Sequence, residues 1–165
     1  MTNAPIGKTP ALIGTGAAVL TALLIGSHFG PGPNRPGAAS WYAHLDKPAY
    51  TPPGPVFGVV WPVLGALMWL AGYRLAVAEP RPARAVALGA WLLNVIGIGA
   101  YPAVFFGRKQ PAAGLAITGA MLGSAKAQVL AASRVDRPAA LASLPFLAWL
   151  AFAALLGEEV WRRNR

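Results

Sequence analysis

The sequence predicts an all-α integral membrane protein: a bundle of five transmembrane helices with a long, Pro- and Trp-containing first loop. Of the 165 residues, 56% are hydrophobic and only 12% are charged. Five apolar stretches of about 18 to 23 residues, the length that crosses a bilayer as a helix, account for most of the chain. None of them alternates like a barrel strand, and backbone inside a bilayer must satisfy its own hydrogen bonds. Each stretch is therefore expected to be helical.

The composition also excludes several classes of function. The chain has no Cys, which argues against a disulfide-stapled secreted module. Its formal charge of +9 does not indicate a nucleic-acid partner, because Lys and Arg flank membrane spans for topological reasons. Two distant His residues leave little to hold a metal, and we find no Ser/His/Asp set, Walker loop or paired carboxylates. The sequence predicts no catalytic residue, no metal site and no required cofactor, and membrane lipid is the expected environment.

The first predicted span covers residues 11–29 and ends at the cluster Gly30-Pro31-Gly32-Pro33, which cannot continue a helix. Lys8 precedes this run, so a cleaved signal peptide is the alternative. The apolar core of a signal peptide is about 7 to 15 residues long, shorter than this run. A retained membrane helix is therefore predicted.

The other predicted spans cover residues 56–78, 85–106, 112–132 and 139–156, all within one membrane domain of residues 1–165. Their short connections predict that consecutive spans are antiparallel neighbours. Arg74 lies one turn from the end of its span, where a long side chain can reach the headgroups. Lys126 lies about 9 Å from the end of its span and either reaches the headgroups or pairs with a carboxylate of a ligand or a neighbouring protein.

The loop of residues 30–55 separates the first two spans and is rich in Pro and Gly. It also carries Trp41, Tyr42 and Tyr50. Structureless loops of this length are usually either disordered or functional, and the aromatic content favours function. We therefore expect this segment to be functional, with its aromatic side chains either anchoring the chain at the water interface or covering a binding site.

Around this loop the sequence reads WYAHLDKPAYTPPGPVFGVVW, which resembles the signature segment of the TspO/MBR family (tryptophan-rich sensory protein and translocator protein, peripheral benzodiazepine receptor). Two further blocks resemble the same family, at residues 102–110 and at residues 145–152 with 160–164. The resemblance implies a five-helix bundle, often dimeric, that binds porphyrins in a cavity capped by the first loop. The high Ala, Gly and Pro content is typical of a GC-rich bacterial genome, so a bacterial cell envelope is the expected location.

The resemblance also implies which residues bind the ligand. Trp61 and Trp149 match the cavity tryptophans of the family, where an indole can stack on a flat ring and donate its N–H; packing or interfacial roles are the alternative. Asn94 is a polar side chain in mid-span, which either faces a ligand or makes a hydrogen bond between helices. Ile98 replaces an Asn of the family, and Gly99 and Tyr101 replace tryptophans, which predicts a weakened cavity wall in this span. The full predicted set is Trp41, Tyr42, Tyr50, Trp61, Asn94, Phe105, Trp149 and Phe152.

The predicted function is that of a membrane receptor or carrier for a hydrophobic planar ligand, and the expected ligand is a porphyrin or another tetrapyrrole. The ligand is expected to lie between the first, second and fifth spans, covered by the loop. Light- or oxygen-dependent breakdown of the porphyrin is one alternative, so enzymatic activity stays open, although no acid, base or metal for it is visible. A structural subunit of a larger membrane complex is another, and a homodimer is a further possible assembly.

Overall fold

The computed structural model describes residues 7–165, and all of the regular structure in that part of the chain is helical. Five helices are long and apolar enough to cross a membrane. They are α1 Lys8–Phe29, α3 Gly54–Val77, α4 Pro82–Pro102, α5 Pro111–Ala132 and α6 Arg137–Arg163, and a short helix, α2 Pro36–His44, lies between the first two. The predicted five-helix membrane bundle is confirmed.

Proline marks the start of most of these helices. A proline occupies the first or second position of every helix from α2 to α6. There its missing N–H is not needed and its fixed φ suits the helix. Helix α6 also has a side-chain cap, because Asp136 accepts a hydrogen bond from the Ala139 N–H at 2.7 Å. The residues that interrupt the apolar pattern are thus the residues that begin the helices.

Two boundaries differ from the prediction. The loop of residues 30–55 is not structureless, because it contains α2, whose nine residues are too few to produce a recognisable apolar run. Helix α6 continues to Arg163 rather than ending at residue 156. Its last turns are polar and carry ion pairs one turn apart, such as Arg163 with Glu159 at 3.0 Å. Hydropathy detects only the part of that helix that lies in hydrocarbon.

The end of α4 also changes its winding. Residues Ala103–Gly107 form a π-helical turn that continues α4 directly. Such turns insert an extra residue into a helix and are frequent at functional sites. The turn directs Phe105 and Phe106 toward the segment that follows α1. Lys109, with a positive φ of 56°, lies two residues after its end.

The long helices form a closed ring in the order α1, α3, α6, α5, α4. Helix α1 packs against both α3 and α4. Helices α3 and α4 are joined by a short connection and were predicted to be direct neighbours, but α1 fills most of the space between them. They still touch through Trp91 of α4, whose indole N–H donates to the Met68 carbonyl of α3 at 2.8 Å.

The two ends of the ring are built differently. We call the end that carries residues 30–53, the π-turn and the last turns of α6 the lid face, and the segment 30–53 the lid. The opposite end, the far face, is filled by a cluster of mostly alanine side chains that includes Ala71, Ala87 and Ala132. There Arg84 is 4% exposed and donates to the carbonyls of Leu75 at 2.9 Å and Ala76 at 2.7 Å. The last carbonyls of α3 are thereby capped by a cation.

An ion pair joins two helices at the far face. Arg74 near the end of α3 donates two hydrogen bonds to Asp136, at 2.8 and 3.0 Å. The guanidinium of Arg74 holds the pKa of the Asp136 carboxyl below its usual value. Asp136 therefore both caps α6 and ties α3 to α6.

A candidate ligand-binding cavity beneath the lid

The lid half of the bundle encloses a cavity of about 260 Å³ between α3, α4, α5 and α6. We expected the first span to form one wall, but α1 supplies none of the lining residues. Its place is taken by α4 and α5, through Gly97, Tyr101 and Met121 among others. The lining consists of Pro31, Tyr42, Pro52, Gly54, Phe57, Trp61, Gly97, Tyr101, Phe105, Phe106, Thr118, Met121, Trp149, Leu150, Phe152, Ala153, Leu156, Gly157 and Val160.

Trp61 and Trp149 lie on two walls of the cavity, on α3 and α6. Phe57 contacts Trp149 edge-on, with 5.7 Å between the ring centres, and the ring centre of Phe152 lies 5.5 Å from that of the same indole. Within residues 7–165 neither indole N–H of this pair has a hydrogen-bond acceptor, whereas the buried indole of Trp91 has one. The cavity therefore offers two broad aromatic faces and two available N–H donors.

An aromatic cluster joins the lid to the π-turn. Phe105, which is 4% exposed, lies at its centre. Trp41 and Tyr42 of α2 contact the Phe105 ring edge-on at 5.5 and 6.5 Å, and Tyr101 stacks on it at 5.3 Å. Phe106 contacts Tyr42 at 5.4 Å. The π-turn thus presents two consecutive phenylalanines to the lid.

Tyr42 is the lid residue that both belongs to this cluster and lines the cavity. Burial raises the pKa of its hydroxyl, so it stays neutral at physiological pH. The ammonium of Lys47 lies 4.8 Å from the Tyr42 ring centre. It also donates to the carbonyls of Tyr42 at 2.6 Å and Leu45 at 2.9 Å. Lys47 therefore caps the C-terminal end of α2 and fixes the tyrosine in the lid.

A second attachment joins the lid to α6. The Asp46 N–H donates to Asn164 Oδ1 at 3.0 Å, and Asn164 Nδ2 donates back to the Asp46 carbonyl at 2.9 Å. Arg163 lies 3.6 Å from the Asp46 carboxylate. Tyr50 contacts Phe152 edge-on at 6.4 Å, next to the cavity. The lid is thus held by aromatic contacts on the π-turn and by both polar and aromatic contacts on α6.

Asn94 lies elsewhere, in a buried polar network. Its Nδ2 donates to Gln128 Oε1 at 3.0 Å, and Gln128 Nε2 donates to Ser143 Oγ at 2.8 Å. Ser143 in turn donates to the Ala139 carbonyl at 2.9 Å. Asn94 and Gln128 are fully buried, and Asn94 is not among the residues that line the cavity. This geometry is that of hydrogen bonds between α4, α5 and α6, the alternative role considered for Asn94.

Five of the eight predicted ligand-binding residues line the cavity: Tyr42, Trp61, Phe105, Trp149 and Phe152. Trp41 and Tyr50 do not line it, but each packs against a ring that does. Sequence reasoning did not select four large lining residues. Phe57 and Phe106 stand inside the recognised blocks, and Tyr101 replaces a tryptophan of the family, so all three could have been found from the resemblance. Met121 carried no signal that distinguished it from a core residue.

With this geometry established, comparison with known proteins identifies the family. The TspO/MBR family profile matches residues 17–162. The chain belongs to the TspO/MBR family. It is 34% identical to the translocator protein of Ovis aries over 137 residues, which cover 76% of this chain and 75% of the relative. It is 35% identical to the human translocator protein over 133 residues, covering 75% of each.

A bacterial relative is similar over more of the chain. The tryptophan-rich protein TspO of Chlorobaculum tepidum is 32% identical over 152 residues, covering 84% of this chain and 86% of the relative. This TspO/MBR protein is therefore a membrane protein, and its bacterial relatives are consistent with a bacterial membrane. The match reaches from α1 into α6, so the lid, the π-turn and both cavity tryptophans lie within the family region.

Proposed function

We propose that this TspO/MBR protein is a membrane receptor for a hydrophobic planar ligand of the tetrapyrrole class. The observation that carries the proposal is the wall of the cavity, where Trp61 and Trp149 present aromatic faces with available indole N–H donors. No lining residue is charged. A flat, neutral, polarizable ring is the chemistry that such walls bind best.

The size and the charge of the site support the same class. At about 260 Å³ the cavity is small for a ligand pocket, so a tetrapyrrole would place part of its ring inside and its carboxylates at the lid face. That face carries more basic than acidic residues, and its acidic residues are Asp46, Glu158 and Glu159. The basic residues there are Arg35, Lys47, Arg108, Lys109, Arg162, Arg163 and Arg165.

The test is a titration of the purified protein in nanodiscs with protoporphyrin IX, followed through the porphyrin absorbance band. Trp61→Ala and Trp149→Ala should each weaken binding at least about fivefold, because a stacked aromatic contributes about 1 kcal/mol beyond its burial. Trp69→Phe is the matched control, since Trp69 lies on α3 but contacts α1 through Leu12. Unchanged affinity in both cavity variants would refute the assignment of the site.

The same titration separates binding from porphyrin breakdown. A receptor shifts the absorbance band without reducing its total intensity, in light and in darkness alike. Loss of absorbance that needs both protein and light, and that Trp61→Ala or Trp149→Ala abolishes, would instead assign the protein to the enzymatic alternative.

We propose a second role, association with another membrane protein, because the exposed face of α5 differs from the others. The exposed faces of α1, α3, α4 and α6 each carry at least three large apolar side chains, whereas α5 carries only Leu130. A Cβ added at Gly119 or Gly123 would meet nothing within 4 Å, so this face is open to a close neighbour. Lys126 lies on the same face and fits a partner helix that carries a carboxylate.

The test of this second role is the mass of the complex extracted from native membranes into nanodiscs. A combined Gly119→Leu and Gly123→Leu variant should run at the mass of the isolated chain, because bulk on that face prevents close helix approach. The control is Ala17→Leu, on the exposed face of α1. An assembly of two copies that survives both changes would indicate a homodimer through another face, and a wild-type protein at monomer mass would refute the role.

A further inference from the structure

Asn164 at the end of α6 forms a two-way hydrogen bond with the lid. Its carboxamide accepts from the backbone N–H of Asp46 at 3.0 Å and donates to the backbone carbonyl of the same residue at 2.9 Å. Asn164 Nδ2 also donates to the Val160 carbonyl at 2.7 Å, which fixes the orientation of the side chain. The two residues are 118 positions apart in the sequence. One side chain therefore pairs with both polar groups of a single lid residue, as a neighbouring β-strand would.

This contact lies next to the cavity, where it can affect how a ligand enters and leaves. In the sequence, Asp46 lies between Tyr42 of α2 and Pro52. Both Tyr42 and Pro52 line the cavity. Val160, one turn before Asn164, also lines it. Asn164 itself is not a lining residue. The contact thus joins the middle of the lid to the rim of the cavity without reaching the space a ligand would occupy.

We infer that Asn164 is a positioning residue that holds the lid closed, so that a ligand enters and leaves when its two hydrogen bonds to Asp46 break. We call this pair of hydrogen bonds the Asn164 latch. The nature of the ligand rests on the proposed function, but the closure of the lid does not. The neighbouring ion pair of Arg163 with the Asp46 carboxylate contributes little, because both side chains are well exposed, at 41% and 64%.

This arrangement has a kinetic signature. The latch joins two parts of the protein and contacts no ligand, so its loss weakens closure equally in the empty and the loaded protein. Removal of two hydrogen bonds should raise the rate constants of association and dissociation together, each about tenfold. The dissociation constant should then stay within about twofold. A residue that contacts the ligand would instead raise the dissociation rate alone, and a merely structural residue would lower the fraction of protein able to bind.

The experiment is stopped-flow binding of protoporphyrin IX to the full chain in nanodiscs. Asn164→Ala should accelerate both rates as described. Asp46→Asn is the discriminating control, because the latch uses the backbone of residue 46 and this change leaves both hydrogen bonds available. Arg165→Ala controls for the loss of a polar group at the end of α6. Unchanged rates in Asn164→Ala, or equal acceleration in Asp46→Asn, would overturn the inference.

A second measurement does not depend on any ligand. Hydrogen exchange of the peptide that spans residues 45–53 should be faster in Asn164→Ala than in the wild type, while that of α5 is unchanged. Equal exchange in the two proteins would refute the latch whatever the ligand is. If protoporphyrin IX fails to bind the wild type but exchange accelerates as expected, the proposed ligand class is wrong and the latch stands.

Discussion

The contact between Gly72 and Trp91 makes a sharp test of how the bundle is packed. A Cβ placed on Gly72 would lie 2.4 Å from Trp91 Cε2 and 2.7 Å from its Nε1. Gly72→Ala must therefore move a 6% exposed indole that donates to the Met68 carbonyl at 2.8 Å. The indole is a rigid ring rather than a flexible chain end, so the strain cannot be relieved by a rotation of its far end.

The cost follows from two effects. Overpacking a tight core costs about 1 to 3 kcal/mol. A buried N–H that loses its acceptor costs about 1 to 3 kcal/mol more. Both costs arise from the same movement of the indole, so they do not add in full. We expect a loss of about 3 kcal/mol in the free energy of unfolding.

The assay is unfolding of the protein in mild detergent by titration with SDS, compared with Gly89→Ala. A Cβ at Gly89 would meet nothing within 4 Å, so this control should leave the free energy of unfolding unchanged or raise it by about 0.5 to 1 kcal/mol. In a Trp91→Phe background, which replaces the colliding two-ring indole by a smaller single ring, Gly72→Ala should cost less. Equal effects of Gly72→Ala and Gly89→Ala would show that the helices are not packed as described.

Two further predictions concern the lid and the far face. Gly114→Ala places a Cβ 2.8 Å from the Phe105 ring and should loosen the lid, raising hydrogen exchange of α2, whereas Gly119→Ala on the same helix should not. Asp136→Asn keeps the helix cap but breaks the ion pair with Arg74, and should cost about 1 kcal/mol or less at pH 7. The ion pair lowers the pKa of the Asp136 carboxyl, so its contribution is complete above the unfolded pKa of about 3.9 and is lost as the pH falls through the lower folded value. Stability curves of wild type and variant that stay parallel through that range, so that their difference does not shrink as the pH falls, would contradict this assignment.

The membrane spans could be predicted because hydropathy and helix length are properties of single segments. The residues that join segments are harder to recognise. Asn94 is polar and central in its span, which suggests a ligand contact, but its partner is Gln128 of α5, which in turn donates to Ser143 of α6. Asn164 is flanked by charged residues, a pattern typical of a solvent-exposed helix end. Only the folded bundle brings it to Asp46.

The departures from the family pattern in α4 show the same limit. Ile98 and Gly99 suggested a weakened cavity, because they replace polar and aromatic residues of relatives. Neither lines the cavity: Ile98 is 4% exposed in the core, and a Cβ on Gly99 would meet the Ala22 carbonyl of α1 at 3.4 Å. The lining residues on the same helix are Gly97 and Tyr101. Helical periodicity alone could not tell which face of α4 met α1 until the order of helices in the ring was known.

The closed far face limits what kind of transport this bundle can perform. Alternating-access carriers expose one site to each side of the membrane in turn, by rocking one half of the fold against the other. Here an opening on the far side would separate the alanine-packed helices, pull Arg84 from the carbonyls of Leu75 and Ala76, and break the tie between Arg74 and Asp136. The cavity is therefore closed toward the far face, and we expect a ligand to enter and leave at the lid face, on one leaflet. Such a molecule suits retention or sensing within one half of the bilayer, and vectorial flux would require a partner that accepts the ligand at that same surface.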